Sequence, residues 1–167
     1  TSRVAPTFIH DTRDDFLNPS RGWRHVTRFE IAGGMLGGLD FYRANYEVSF
    51  YHPIFEKLVG VIHVDTNYAD GYNGQILPIF ERYFMGGANS LRGYTIRDVG
   101  PKNANGDPLG GAQSLLINIE TQYPFTKSLR GFLFYDRGNT FGTGPDISGT
   151  AEKFDFGTMR QSVGTGI

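Results

Sequence analysis

"LDFYRANYEVSFYHPIFEKLVGVIHVDTNYAD", residues 39–70, alternates by twos almost throughout. Tyr42, Ala44, Tyr46, Val48 and Phe50 fall on one face, and Arg43, Asn45, Glu47 and Ser49 on the other. After a short break around His52-Pro53-Ile54-Phe55-Glu56 the pattern resumes, with Leu58, Gly60, Ile62, Val64, Thr66 and Tyr68 against His63, Asp65 and Asn67. A period of two is the pattern of a strand with unlike faces. The stretch therefore predicts a hairpin of two strands, each longer than the usual globular strand of about 5–6 residues.

The same grammar recurs along the chain. Ala112–Phe125 sets Leu115, Ile117, Ile119, Thr121, Tyr123 and Phe125 against Ser114, Asn118, Glu120 and Gln122, with Leu116 out of pattern. Leu129–Phe141 follows a short turn at Pro124–Lys127. Arg21–Gly33 sets Trp23, Thr27, Phe29 and Ile31 against Arg24, Arg28 and Glu30, while Arg3–Arg13 and Met159–Ile167 read as further strands. That makes roughly seven strands, most of about 10–14 residues, enough for tilted strands to cross a bilayer. The long links fall at Gly33–Gly38, Gly71–Gly111 and Gly142–Thr158, and the second is long enough to be a structure in itself.

Composition narrows the class. The chain has 167 residues and a formal charge of −1, without the basic excess of a nucleic-acid binder. It has no cysteine, so disulfides and thiolate metal sites are excluded. Aromatics reach 14% and glycines number 23, as suits antiparallel sheet with tight turns. Mean hydropathy is −0.32 and no long apolar run occurs, which excludes a membrane helix but not a membrane barrel. A soluble sandwich also alternates, but its strands are shorter and its polar faces less densely charged. The expected fold is all-β: part of an antiparallel transmembrane β-barrel with a long inward-folded loop. Barrels of the bacterial outer membrane close with an even number of strands, so the chain is read as a portion of a larger barrel, with material missing at both ends. Such a piece, with both strand edges open, is expected to need its missing strands or detergent.

The long link contains "ERYFMGGANSLRGYTIRDVGPK", Glu81–Lys102. It resembles the signature loop of the bacterial surface antigen, or outer-membrane assembly, superfamily of BamA-type proteins. The motif residues are Leu91, Arg92, Gly93 and Tyr94, with supporting glycines at Gly86, Gly87 and Gly100. Two downstream stretches also resemble the family: "INIETQYPF" with Glu120, and "FLFYDRGNTF" with Asp136. Upstream, "DTRDDFLNPSRGW" (Asp11–Trp23) is similar to its periplasmic turn, with Pro19 and Gly22 at the family's offset.

The resemblance implies a barrel of about 16 strands preceded by periplasmic POTRA domains that this chain does not include. It implies Gram-negative outer-membrane localisation and the folding and insertion of β-barrel proteins. The implied partners are unfolded outer-membrane β-barrel clients, accessory assembly lipoproteins and the lipid bilayer. It also implies that Arg92 is held inside the barrel by Glu120 and Asp136, and that the strand seam lies outside this chain. The polar parity of Glu120 agrees, and an arginine inside a barrel needs such partners. A TamA-type translocation and assembly protein, a two-partner secretion transporter and a passive porin remain as alternatives.

Other features carry less. His63 and Asp65 share a face but two ligands make a poor metal site, so they are read as lumen lining. Asp98, Asp107 and Asp146 lack calcium-loop spacing, "GGANS" lacks the following Gly-Lys-Ser/Thr of a phosphate loop, and no nucleophile elbow occurs. The expectation is no metal, no cofactor and no enzyme activity.

Overall fold

The computed structural model describes residues 2–126, 129–142 and 154–167. Its strands are β1 (Arg3–Val4), β2 (Thr7–Asp11), β3 (Gly22–Ala32), β4 (Phe41–Phe55), β5 (Leu58–Gly71), β6 (Gln113–Pro124), β7 (Arg130–Phe141) and β8 (Arg160–Gly166). They form one antiparallel sheet in the order β1-β3-β4-β5-β6-β7-β8, with β2 also paired to β3. Neighbours in sequence are neighbours in space, the arrangement of an up-and-down barrel wall.

The element count is eight because the expected strand Arg3–Arg13 is broken. Arg3 and Val4 pair with Ala32 and Ile31, and Thr7–Asp11 pair with Arg28–Arg24. Pro6 lies between them and has no N–H to give to the ladder, though its carbonyl accepts from Phe29 at 3.1 Å. The turn expected over His52–Glu56 is also tighter. β4 runs on to Phe55 through an irregularity at Pro53/Phe55, and only Glu56 and Lys57 turn. Lys127 and Asp146 lie outside the described residues, as does most of the Gly142–Thr158 link.

Register fixes the faces. Ser49, His63, Asn118 and Asp136 stand in one row across β4–β7, and Glu47, Asp65 and Leu116 in the next across β4–β6. Polar side chains on this inner face satisfy one another: Arg24 donates to Glu47 at 2.8 Å, and Asn67 donates to Asp65 at 2.8 Å and Ser114 at 2.9 Å. His63 hydrogen-bonds Ser49 at 3.0 Å and is lumen lining, as read from the sequence. No group of three or more metal-ligating side chains exists among the described residues. The other face is apolar and bare, with Phe29, Ile62, Ile119, Leu133 and Val163 all exposed. Trp23 stacks on Phe50 at 4.1 Å near one end of the strands, and Tyr42 lies 5.9 Å from Tyr68 near the other. Aromatics at both ends of an apolar band are the girdles of a membrane barrel.

Candidate functional site: the inward loop and its arginine

Residues 72–112 join β5 to β6 and lie against the inner face. A short 3-10 turn, Ile79–Glu81, starts the descent, and isolated antiparallel bridges Tyr83–Gly111, Met85–Val99 and Lys102–Pro108 tie the loop to itself at three points. Two small apolar clusters seat it. Leu77 packs with Ala32, Phe41, Ala69 and Ala112 at the root. Met85, Leu91 and Val99 pack with Leu116 further down, and Leu91 is fully buried. Leu116, the residue that broke the polar alternation of β6, is thus the wall's apolar seat for the loop.

Arg92 sits beyond that cluster, and its guanidinium is shared between two strands. Nε donates to Asp136 Oδ2 at 2.6 Å and an η nitrogen donates to Oδ1 at 2.6 Å. The backbone N–H of Arg92 adds a bond to Oδ2 at 3.2 Å, and the other η nitrogen donates to Glu120 Oε1 at 2.5 Å. The planar fork matches a carboxylate edge to edge, which a lysine cannot reproduce. Asp136 is fully buried, whereas Arg92 and Glu120 keep 19% and 18% of their side chains exposed. Asp136 is therefore the partner that depends most on the arginine. The guanidinium pKa is raised by the hydrogen bond to Asp136, with Glu120 adding to it and burial opposing it.

The floor under the guanidinium is aromatic. Arg92 Cζ lies 3.7 Å from the centre of the Phe134 ring and 5.7 Å from that of Phe132. Space for those rings comes from β8: a Cβ on Gly164 would lie 2.7 Å from Phe134, and one on Gly166 would meet Phe132. Phe134 and Phe132 were not singled out from the sequence, although their inner parity with Asp136 was readable. Phe134→Leu keeps much of the apolar bulk but removes the ring face, and is expected to weaken the seat by about 1 kcal/mol. The change in urea midpoint of the full-length protein checks this, and no change would remove the ring's part in holding the cation.

The remaining motif residues take up nearby places. Tyr94 donates to the Gln161 carbonyl of β8 at 3.0 Å, so the loop tip reaches three strands. Gly93 passes close to the wall, where a Cβ would lie 3.3 Å from Ser162 Cβ. Gly86 and Gly87 make the turn opposite Thr95 and Ile96, and Gly100 abuts Thr140. Toward the turn 12–21 the polar chain continues. Gln122 donates to Glu120 at 2.8 Å, and Arg130 donates to Gln122 at 3.1 Å and to Asn18 at 2.9 Å. Asn18 belongs to the turn 12–21, where Asp14 accepts from Ser20 and Arg21 and its pKa is lowered well below the usual carboxylate range. The sequence resemblance located that turn but not its bond to β7.

An apolar outer face with aromatic girdles, a polar inner face and a loop anchored within it define a segment of an outer-membrane β-barrel whose lumen is occupied by its own loop. The Omp85 superfamily domain matches residues 1–167. The chain is 32% identical to the outer membrane protein assembly factor BamA of Nitratidesulfovibrio vulgaris, over 94% of this chain and 20% of that protein. It is 27% identical to the sorting and assembly machinery component 50 homolog of Bos taurus, over 99% of this chain and 37% of that protein. The crystal structure of BamA from Haemophilus ducreyi lacking POTRA domains 1–3 superposes with a TM-score of 0.80 at 19% identity, over 98% of this chain and 35% of that one. The chain belongs to the Omp85 superfamily. It spans between a fifth and about two fifths of these relatives.

Proposed function

We propose that the protein containing this chain is an outer-membrane assembly factor that folds and inserts β-barrel proteins. The observation that carries the reading is Arg92 held by Glu120 and Asp136, in a chain similar along nearly its whole length to an assembly factor. The substrates are unfolded β-barrel clients arriving from the periplasm. Upstream POTRA domains and accessory lipoproteins would present them. No catalytic residue and no cofactor enter this reading.

The chain's own part is mechanical. A seam that opens to admit client strands leaves the rest of the wall to keep its register. A β-ladder resists slippage through the match of its faces, and a side-chain clamp across strands adds to that. Arg92 bonds β6 through Glu120 and β7 through Asp136, while Tyr94 reaches β8. The loop thereby ties three successive strands at one depth of the barrel.

The test uses the full-length protein in liposomes with an unfolded outer-membrane barrel protein. Acquisition of protease resistance by the client is followed against protein-free liposomes. Faster acquisition is the expected result. Equal rates would abandon assembly in favour of the secretion transporter or the passive channel.

A further inference from the structure

The loop has a second ionic contact, at its root, with the opposite polarity. Glu81 is buried, at 7% exposure. Its carboxylate accepts from Arg43 of β4, and from Arg3 of β1 at 3.1 Å. The same Arg43 nitrogen donates to the Glu81 carbonyl at 2.6 Å. Arg3 also bonds Glu30 of β3 at 2.8 Å, and Glu30 stands directly opposite Arg43 in the ladder. Both cations rest near the Phe41 ring, at 5.6 Å for Arg3 and 5.2 Å for Arg43, and Arg43 lies 5.7 Å from Tyr83. The Arg43 Nε is buried without a partner among the described residues. A guanidinium desolvated to that degree relies on its carboxylate, and the carboxylate on it.

We infer that Glu81 and Arg43 are positioning residues forming a second lock, which fixes the loop's root to β1 and β4 and sets its orientation in the lumen. The loop presents a carboxylate to arginines on one part of the wall, and an arginine to carboxylates on another. The loop is tied to the ends of β5 and β6, which keeps Glu81 near the root and Arg92 near the tip, and the charges then select which strands each of them meets. A root turned away from β1 and β4 would take the buried Glu81 carboxylate away from Arg43 and Arg3. Leu77 packs on the wall beside Glu81 and Tyr83 accepts from Asn45 at 2.8 Å there, but neither carries a charge.

Limited tryptic digestion of the full-length protein in liposomes tests this without any client, so it stands or falls apart from the assembly reading. Cleavage after Arg82 reports the root, and cleavage after Arg92 reports the tip. Each rate is divided by that of the same variant unfolded in urea, which cancels sequence effects on the protease. Arg43→Glu is expected to speed cleavage after Arg82 about tenfold or more, because cleavage follows the population of the locally opened state. Cleavage after Arg92 should stay within about threefold of wild type. Adding Glu81→Arg to Arg43→Glu should bring the Arg82 rate partway back, since the exchanged pair again joins opposite charges, while Arg3 loses its bond to residue 81 and keeps the one to Glu30. A wild-type rate in Arg43→Glu, or a double variant as sensitive as the single, overturns the inference. Heat-modifiable mobility confirms that each variant is a folded barrel; if Arg43→Glu is not, Arg43→Gln takes its place with the same expected direction.

Discussion

Arg92→Ala is expected to produce the largest loss of any single substitution in this chain. It leaves Asp136, which is fully buried, without either of its guanidinium bonds. Removing one member of a buried ion pair costs about 3–5 kcal/mol, because the other charge stays desolvated. The cation over Phe134 goes as well. The urea midpoint of the full-length protein in liposomes should fall accordingly, and the client-folding rate with it. Arg92→Lys should recover only part of either loss, since an ammonium cannot span both oxygens of Asp136 and reach Glu120. Asp136→Asn should be worse than Glu120→Gln, since Asp136 takes three of the bonds from Arg92 and Glu120 takes one. Stability lost with assembly intact would make the lock purely structural. An alanine variant unchanged in both measurements would end the idea of a lock.

Gly86→Ala is expected to be the next most damaging change, although it adds a single methyl group. Gly86 has φ +114, in the region where side chains are rarely accommodated. A Cβ there would run into the Thr95 carbonyl oxygen. That carbonyl opens the turn Thr95–Asp98 and accepts from Asp98 N at 3.1 Å, so moving it breaks the turn. Backbone strain of this kind costs about 1–3 kcal/mol before the clash is counted. The turn would open, taking with it the Gly87–Tyr94 and Ser90–Gly87 bonds. Gly87→Ala is the control. Its φ is +102, but the nearest atom to the added Cβ is Ile96 Cγ1 at 3.0 Å, on a side chain that can turn aside. Tryptic cleavage after Arg92 should therefore rise much more for Gly86→Ala than for Gly87→Ala. Both variants share the positive-φ strain, so equal rates would mean that the contact with the Thr95 carbonyl is relieved and adds nothing to it.

These expectations rest on features that were unequally legible in the sequence. The face of each long strand was readable from alternation, and Glu120 could be assigned to the lumen by parity with Asn118 and Gln122. The direct cross-strand pairing of Asn118 with Asp136, which puts both acids on one patch, required the register. The strand Arg3–Arg13 was read as continuous although its alternation is less clean than that of the others, and Pro6 falls within it. An edge proline is tolerated without a ladder bond, so its effect depended on which neighbour lay opposite. Leu116 looked like a lapse in a polar face until the loop was laid over it, and Phe134 drew no notice until Arg92 was placed above it.

The alternation of residues 39–70 and its repeats determined that this chain is a long-stranded antiparallel wall with one apolar and one polar face, because side-chain direction in a strand is set by position alone. The loop motif, with Glu120 and Asp136, identified what is held and by which acids. Only the tertiary structure decided how the loop enters the lumen. Arg3, Glu30, Arg43 and Glu81 are far apart in sequence and lie on three different strands and a loop turn. Their convergence follows from the register of β1, β3 and β4, and pairing of charges across such distances leaves no periodic trace for a sequence to display.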